Sequence, residues 1–167
     1  MRSEEITGFY DCNAEVAVSG QTAHLLRMAD SASAKRFVFY RRSLDGGQTW
    51  QGRKKIFSTY FSDIVDDREQ ERLAVEGNSA NILINGYTRG KLWAGKMTCF
   101  RSIDNGATFE APRGLFLAEL AHHVVNRRIR AEGKRLLIPF RVQTNWLVNN
   151  SGRLLIFDDR GNTLQER

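Results

Sequence analysis

Apolar positions along the chain fall in short alternating or β-branched runs, and each run ends at Gly, Asn, Ser or Asp. Such runs read as strands closed by tight turns. "EVAVSGQTAHLL", "RLAVEGNSANILI" and "RIRAEGKRLLIPF" each place a glycine between two of them, at Gly20, Gly77 and Gly133, 57 and 56 positions apart. On that beat the pattern predicts strands over about 15–19, 22–29, 36–43 and 51–58 in a first unit. A second unit has them over about 72–76, 79–86, 96–103 and 110–117. The third gives about 127–132, 135–142 and 152–158, with a stub from Gln165. Short, turn-bounded, β-branched or aromatic runs of this kind make an all-β fold the expectation.

A second landmark keeps the same spacing. "RRSLDGGQTW" covers residues 41–50 and "FRSIDNGATF" covers 100–109, so a Ser-x-Asp-x-Gly-x-Thr-aromatic phrase occurs twice. "FDDRGNTL", residues 157–164, keeps Asp159, Gly161 and Thr163 but has Phe157 for the serine and Leu164 for the aromatic. The aspartates Asp45, Asp104 and Asp159 are 59 and 55 positions apart, which makes the third phrase a degenerate copy. Each falls between the third and fourth strands of its unit. There the carboxylate can accept backbone amides a few residues on, and Gly47, Gly106 or Gly161 can take positive φ. Ser43 and Ser102 open the phrase as structural residues, Thr49 and Thr108 can tie down the turn from its far end, and Trp50 and Phe109 offer large apolar surfaces between units. A carboxylate so occupied is badly placed for proton transfer, so the duty expected of these residues is structural.

The phrase resembles the Asp-box of the sialidase-like, or BNR-repeat, β-propellers. Two boxes match the pattern fully, a third matches in part, and the resemblance covers nearly the whole chain as repeats. It implies three four-stranded antiparallel blades, about 14–60, 71–118 and 126–167, which is half of a six-bladed ring. Three blades leave faces and edges open. If a second copy is written directly after Arg167, its Gly20 continues the 57 and 56 beat, so a C2 homodimer completing the ring is expected. In it, a terminal segment at about 1–10 docks on a neighbouring blade. A fragment of a longer propeller protein is the alternative.

In such a blade the turns at Gly20, Gly77 and Gly133 and the Asp-boxes lie on one rim, and the long links lie on the other. Long loops on a rigid scaffold are where binding sits. Tyr60, Tyr87, Trp93 and Trp146 can stack on sugar rings, and Gln143, Asn145 and Asn149 can read hydroxyls. Arg68, Arg89, Arg128 and Arg141 are candidate carboxylate-binding groups, because a planar guanidinium grips a carboxylate with two bonds. Asp66 and Asp67 are the candidate catalytic acids. The family's enzymes combine an arginine cluster, a Tyr and Glu pair and an acid/base Asp. Its Arg-Ile-Pro motif is missing here: in "LIPFR", Leu137 stands where the Arg belongs and Arg141 follows the proline.

Composition narrows this modestly. The chain has 167 residues, 41% hydrophobic, with a formal charge of +6 from dispersed Lys and Arg. A solvated basic surface is expected, with nucleic acid an unlikely partner and a glycan or other anionic ligand a better one. No long apolar run and no leader-like start are present, so no membrane partner and a cytoplasmic location are expected. Cys12 and Cys99 read as free thiols, His122 and His123 match no metal motif, and no metal or cofactor is expected. The first reading is a non-catalytic, glycan-binding propeller half. A glycoside hydrolase related to exo-alpha-sialidases and a structural or protein-interaction scaffold are the alternatives.

Overall fold

In the computed structural model, residues 9–32, 35–60, 71–87, 95–116, 123–125, 129–133, 135–143, 150–158 and 163–166 are described. They form three antiparallel sheets and no helix. Among them, no helix is long and apolar enough to cross a membrane. The first sheet has the order β1 (Phe9–Ser19), β2 (Thr22–Ser31), β3 (Lys35–Ser43) and β4 (Lys54–Tyr60). The second repeats that meander with β5 (Glu71–Glu76), β6 (Ser79–Tyr87), β7 (Gly95–Ser102) and β8 (Arg113–Phe116). The third runs β10 (Arg130–Glu132), β11 (Arg135–Gln143), β12 (Asn150–Asp158) and β13 (Thr163–Glu166), with β9 (His123–Val125) also paired to β11.

The first hairpin of every sheet closes at the glycine that sets the sequence beat. Gly20, Gly77 and Gly133 have φ of 59°, 52° and 59°, the left-handed region in which a Cβ is penalised. Around them Ser19 pairs with Thr22, Glu76 with Ser79 and Glu132 with Arg135.

The strands differ from the expected ones at the sheet margins. β1 reaches back to Phe9, because Phe9 and Tyr10 pair with Ser31 and Asp30 across a bulge at Asp11 and Asn13. Those two residues of the expected terminal segment therefore extend the first sheet; residues 1–8 lie outside the described ones. β4 and β8 start after positions 51 and 110, since Gln51 N–H and Glu110 N–H first bond the carbonyls of Arg42 and Arg101. Of the expected strand over 127–132, β10 holds Arg130–Glu132, residues 127 and 128 lie outside the described ones, and β9 lies before the expected span. β11 is nine residues long, β10 covers only Arg135 to Leu137, and Val125 to His123 pair with Phe140 to Val142. Two short pieces thus satisfy backbone groups that one short strand would leave unpaired.

The first strands of the sheets lie side by side, β1 next to β5 and β5 next to β10. Two apolar layers fill the gaps between sheets. Leu26, Met28, Val38 and Tyr40 of the first sheet meet Leu73, Ile82, Ile84 and Phe100 of the second. Ala74, Leu83 and Cys99 of the second meet Ile129, Leu136, Ile138 and Phe157 of the third. The central sheet is covered on both faces, so Ala80 to Ile84 are buried without interruption and lose the period of two. Full burial of each large side chain contributes roughly 1.5–3 kcal/mol. Polar contacts join the same sheets: Glu15 Oε2 accepts Leu73 N–H at 2.9 Å, and Ser19 Oγ–H donates to the Gly77 carbonyl at 3.1 Å.

Candidate functional site

The two full Ser-x-Asp-x-Gly-x-Thr phrases make the same turn. At the end of β3, Ser43 is fully buried and its Oγ accepts Gly47 N–H at 2.8 Å while donating to Asp45 Oδ1 at 2.6 Å. The Asp45 carboxylate accepts Thr49 N–H at 2.9 Å and the Thr49 hydroxyl at 2.5 Å. In the second sheet, Ser102 Oγ accepts Gly106 N–H at 2.8 Å and donates to Asp104 Oδ1 at 2.7 Å. Asp104 in turn accepts Thr108 N–H at 2.9 Å and its hydroxyl at 2.6 Å. Gly47 and Gly106 have φ of 94° and 76°, the conformation their missing Cβ permits.

Each turn is also fastened to the hairpin beside it. Gly46 N–H donates to the Gln21 carbonyl and Asn105 N–H to the Asn78 carbonyl, both at 2.8 Å. The aspartate turns and the Gly20 and Gly77 hairpins therefore share one rim. β6 ends at Tyr87 and β11 at Gln143, two residues after Arg141, so their strand ends lie at the opposite rim.

These bonds decide what the aspartates can do. The Ser43 hydroxyl, then Thr49, hold the Asp45 carboxyl well below the usual carboxylate range. Thr108 holds Asp104 down in the same way, helped by Ser102. Hydrogen bonds to the charged form favour ionisation, so neither group carries a proton to deliver at neutral pH. The carboxylates act as turn acceptors.

Between the two turns stands a cluster that sequence patterning did not single out. His24 is 1% exposed and its Nδ1 lies 2.6 Å from the Tyr40 hydroxyl. Burial, with the Arg42 charge added, pushes the imidazole down to about 4, and burial pushes the Tyr40 phenol up. Arg42 spans the sheets, donating to the carbonyls of Asp104 at 3.1 Å and Asn105 at 3.0 Å. Lys54 adds a bond to the Ala107 carbonyl. Phe109 meets the Tyr40 ring edge-on, 4.9 Å between centroids, and so packs between sheets. Trp50, expected to do likewise, lies near Gly47 of its own turn. The signal for this cluster was the alternation itself, which puts His24 and Tyr40 on the inward face with Leu26 and Val38.

The predicted ligand residues are distributed differently. Tyr87 and Arg141 are placed by their strands, Tyr87 opposite Gly95 and Arg141 opposite Gly152 and Val124. Thr163 begins β13, opposite Phe157. Asp66, Asp67, Arg68, Arg89, Trp93, Arg128, Trp146, Asp159 and Gly161 lie outside the described residues. Among the described residues, no group of three His, Cys, Asp or Glu side chains is placed to hold a metal ion. Cys99 is a buried free thiol, pushed up to about 11 by burial. An open cleft of about 420 Å³ separates Lys55 to Ser58 on β4 from Thr98, Phe100, Pro112 and Gly114, and its lining is mostly apolar. No protein-family model matches the chain, and no curated protein is significantly similar to it.

Proposed function

We propose that the chain is a sialidase-like Asp-box β-propeller segment that binds a glycan at the rim opposite its aspartate turns and does not hydrolyse it. One observation carries the reading. Two turns of identical bonding, Ser43-Asp45-Thr49 and Ser102-Asp104-Thr108, occupy the same place in successive meanders whose first strands run side by side. That is the arrangement expected of consecutive blades on one scaffold.

The division of labour follows from the bonding. Short turns saturated by their own hydrogen bonds rigidify one rim and occupy the Asp45 and Asp104 carboxylates as turn acceptors. Recognition belongs to the long connections at the other rim, reached through the ends of β6 and β11, where Tyr87 and Arg141 stand. Aromatic faces and guanidinium groups suit a sugar ring and an acidic substituent.

A glycan array read beside a fluorogenic sialoside assay tests this. Binding without turnover supports the proposal. Turnover replaces it with a glycoside hydrolase, whose acids would be sought at Asp66 and Asp67. Silence in both assays leaves a scaffold whose repeats serve architecture alone.

A further inference from the structure

Among the described residues, the central sheet has an apolar layer on both faces and each outer sheet on one. On β5, Leu73 is 4% exposed and it packs with Val75 against the first sheet. The spacing from Gly20 to Gly77 puts Val16 and Val18 of β1 at the positions Leu73 and Val75 hold on β5. Val16 and Val18 are each 60% exposed. Because side chains alternate along a strand, the register carries this open face across the sheet. Val16 stands opposite Leu25, and farther along the same face Arg27 stands opposite Phe39. The Arg53 guanidinium lies over that Phe39 ring, 4.3 Å from its centroid.

The third sheet ends the stack with the complementary side. It buries Leu136, Ile138 and Phe157 against the second sheet. The alternate positions Leu137, Pro139, Leu154 and Ile156 point the other way and are only half-buried. They are mutual neighbours, Leu137 opposite Ile156 and Pro139 opposite Leu154. The molecule thus carries one apolar face of the kind that follows a sheet and one of the kind that precedes a sheet.

We infer that a second copy of this chain covers both: the Val16 and Val18 face of each copy receives the Leu137, Pro139, Leu154 and Ile156 face of the other, around a two-fold axis. The occupant is specified by the contacts already made. What covers Leu73 and Val75 is a sheet of the same meander, latched by Ser19 to the Gly77 carbonyl and by Glu15 to Leu73 N–H. By the same spacing, Glu132 takes the place of Ser19 on the third sheet, and the Gly20 carbonyl and Val16 N–H take the receiving places on the first. This inference rests on the propeller reading for its closure. Propellers close with roughly four to eight sheets, and two sets of the three described sheets fall in that range. A head-to-tail contact that did not close would propagate instead into an open chain.

Absolute mass by light scattering on size exclusion, across a dilution series of the full chain, is the primary test. The expected result is twice the 19.1 kDa chain mass, and Val16→Lys with Val18→Lys should return it to one chain mass with the strand signal in far-ultraviolet circular dichroism retained. A single-chain mass for the unaltered protein, or one that climbs with concentration, overturns the pairing. Should the lysine variant fail to fold, the pair Gln21→Cys and Glu132→Cys joined by a short bismaleimide decides. A covalent dimer that needs both cysteines supports the closed pair, and a ladder or no product overturns it. A dimer silent on the glycan array removes the glycan reading and keeps the pairing; a monomer that binds sugar does the reverse.

Discussion

The Tyr40 hydroxyl of the first sheet lies against Gly106 in the turn of the second, where a Cβ would overlap the phenol oxygen and its carbon. The sheets interlock at a point where one residue must be glycine for two reasons, its φ of 76° and the absence of space. Gly106→Ala should therefore lower stability by about 2–4 kcal/mol, from overpacking added to backbone strain. Gly47→Ala is the internal reference. It has φ of 94° but its nearest neighbour is the Trp50 ring at 3.9 Å, an ordinary contact. It should cost only about 1 kcal/mol. Urea unfolding midpoints of the two variants measure the difference, and equal losses would mean that Tyr40 moves aside freely.

The serines of the two turns matter more than their size suggests. Ser43 and Ser102 are buried to 0% and 1% exposure, and each accepts a glycine N–H while donating to its aspartate. Removing the oxygen leaves a buried donor unsatisfied, so Ser43→Ala and Ser102→Ala should each cost roughly 1–3 kcal/mol. Exposed Thr49 and Thr108 can be replaced by water, and their alanine variants should lose less. The ranking of four unfolding midpoints checks this.

Acid should loosen the turns. Asp45 and Asp104 are held below the ordinary 3.8, so the folded state prefers them ionised. A depressed carboxylate contributes stability in full above its unfolded value, and that contribution is lost as pH falls below it toward the folded value. Stability of the unaltered chain should therefore decline below about pH 4. In Asp45→Asn with Asp104→Asn, the chain should be weaker at neutral pH and flatter below 4. Parallel profiles for the two proteins, followed by denaturant unfolding at stepped pH, would locate acid sensitivity elsewhere.

How much of this was legible in the chain depended on whether one residue or a pair of surfaces carried the information. The hairpin at Gly133 was readable because a single glycine between apolar runs marks a positive φ. The turns at Asp45 and Asp104 were readable because the whole bonding set lies within seven residues of sequence. Cross-sheet relations had no such local signature. Nothing about "VFY" says that Tyr40 will fit Gly106, and Ala80 to Ile84 conceal which side faces which sheet because both sides are covered. The pairing of β9 and β10 with separate stretches of β11 has no signature in their own residues. Of the ligand candidates, Tyr60, Tyr87, Arg141 and Gln143 lie at described strand positions, and the others lie outside the described residues.

His24 supplies a second and separate pH response. Burial, with Arg42 nearby, takes its imidazole from 6.5 down to about 4, so the folded state keeps it neutral against Tyr40. The unfolded chain binds the proton first as pH falls. Stability should be level above about pH 6.5 and decline from there toward pH 4, the window between the two values. The full loss is roughly 3 kcal/mol, the free-energy equivalent of that displacement. His24→Gln keeps a polar partner near Tyr40 and removes the titration. It should lower stability at neutral pH and erase the slope between 6.5 and 4, leaving only the aspartate decline below it. Denaturant unfolding at half-unit pH steps, with the imidazole followed by NMR, separates the two. A slope that persists in His24→Gln would assign the proton to another group, and an imidazole titrating near 6.5 in the folded chain would mean that water reaches the pair.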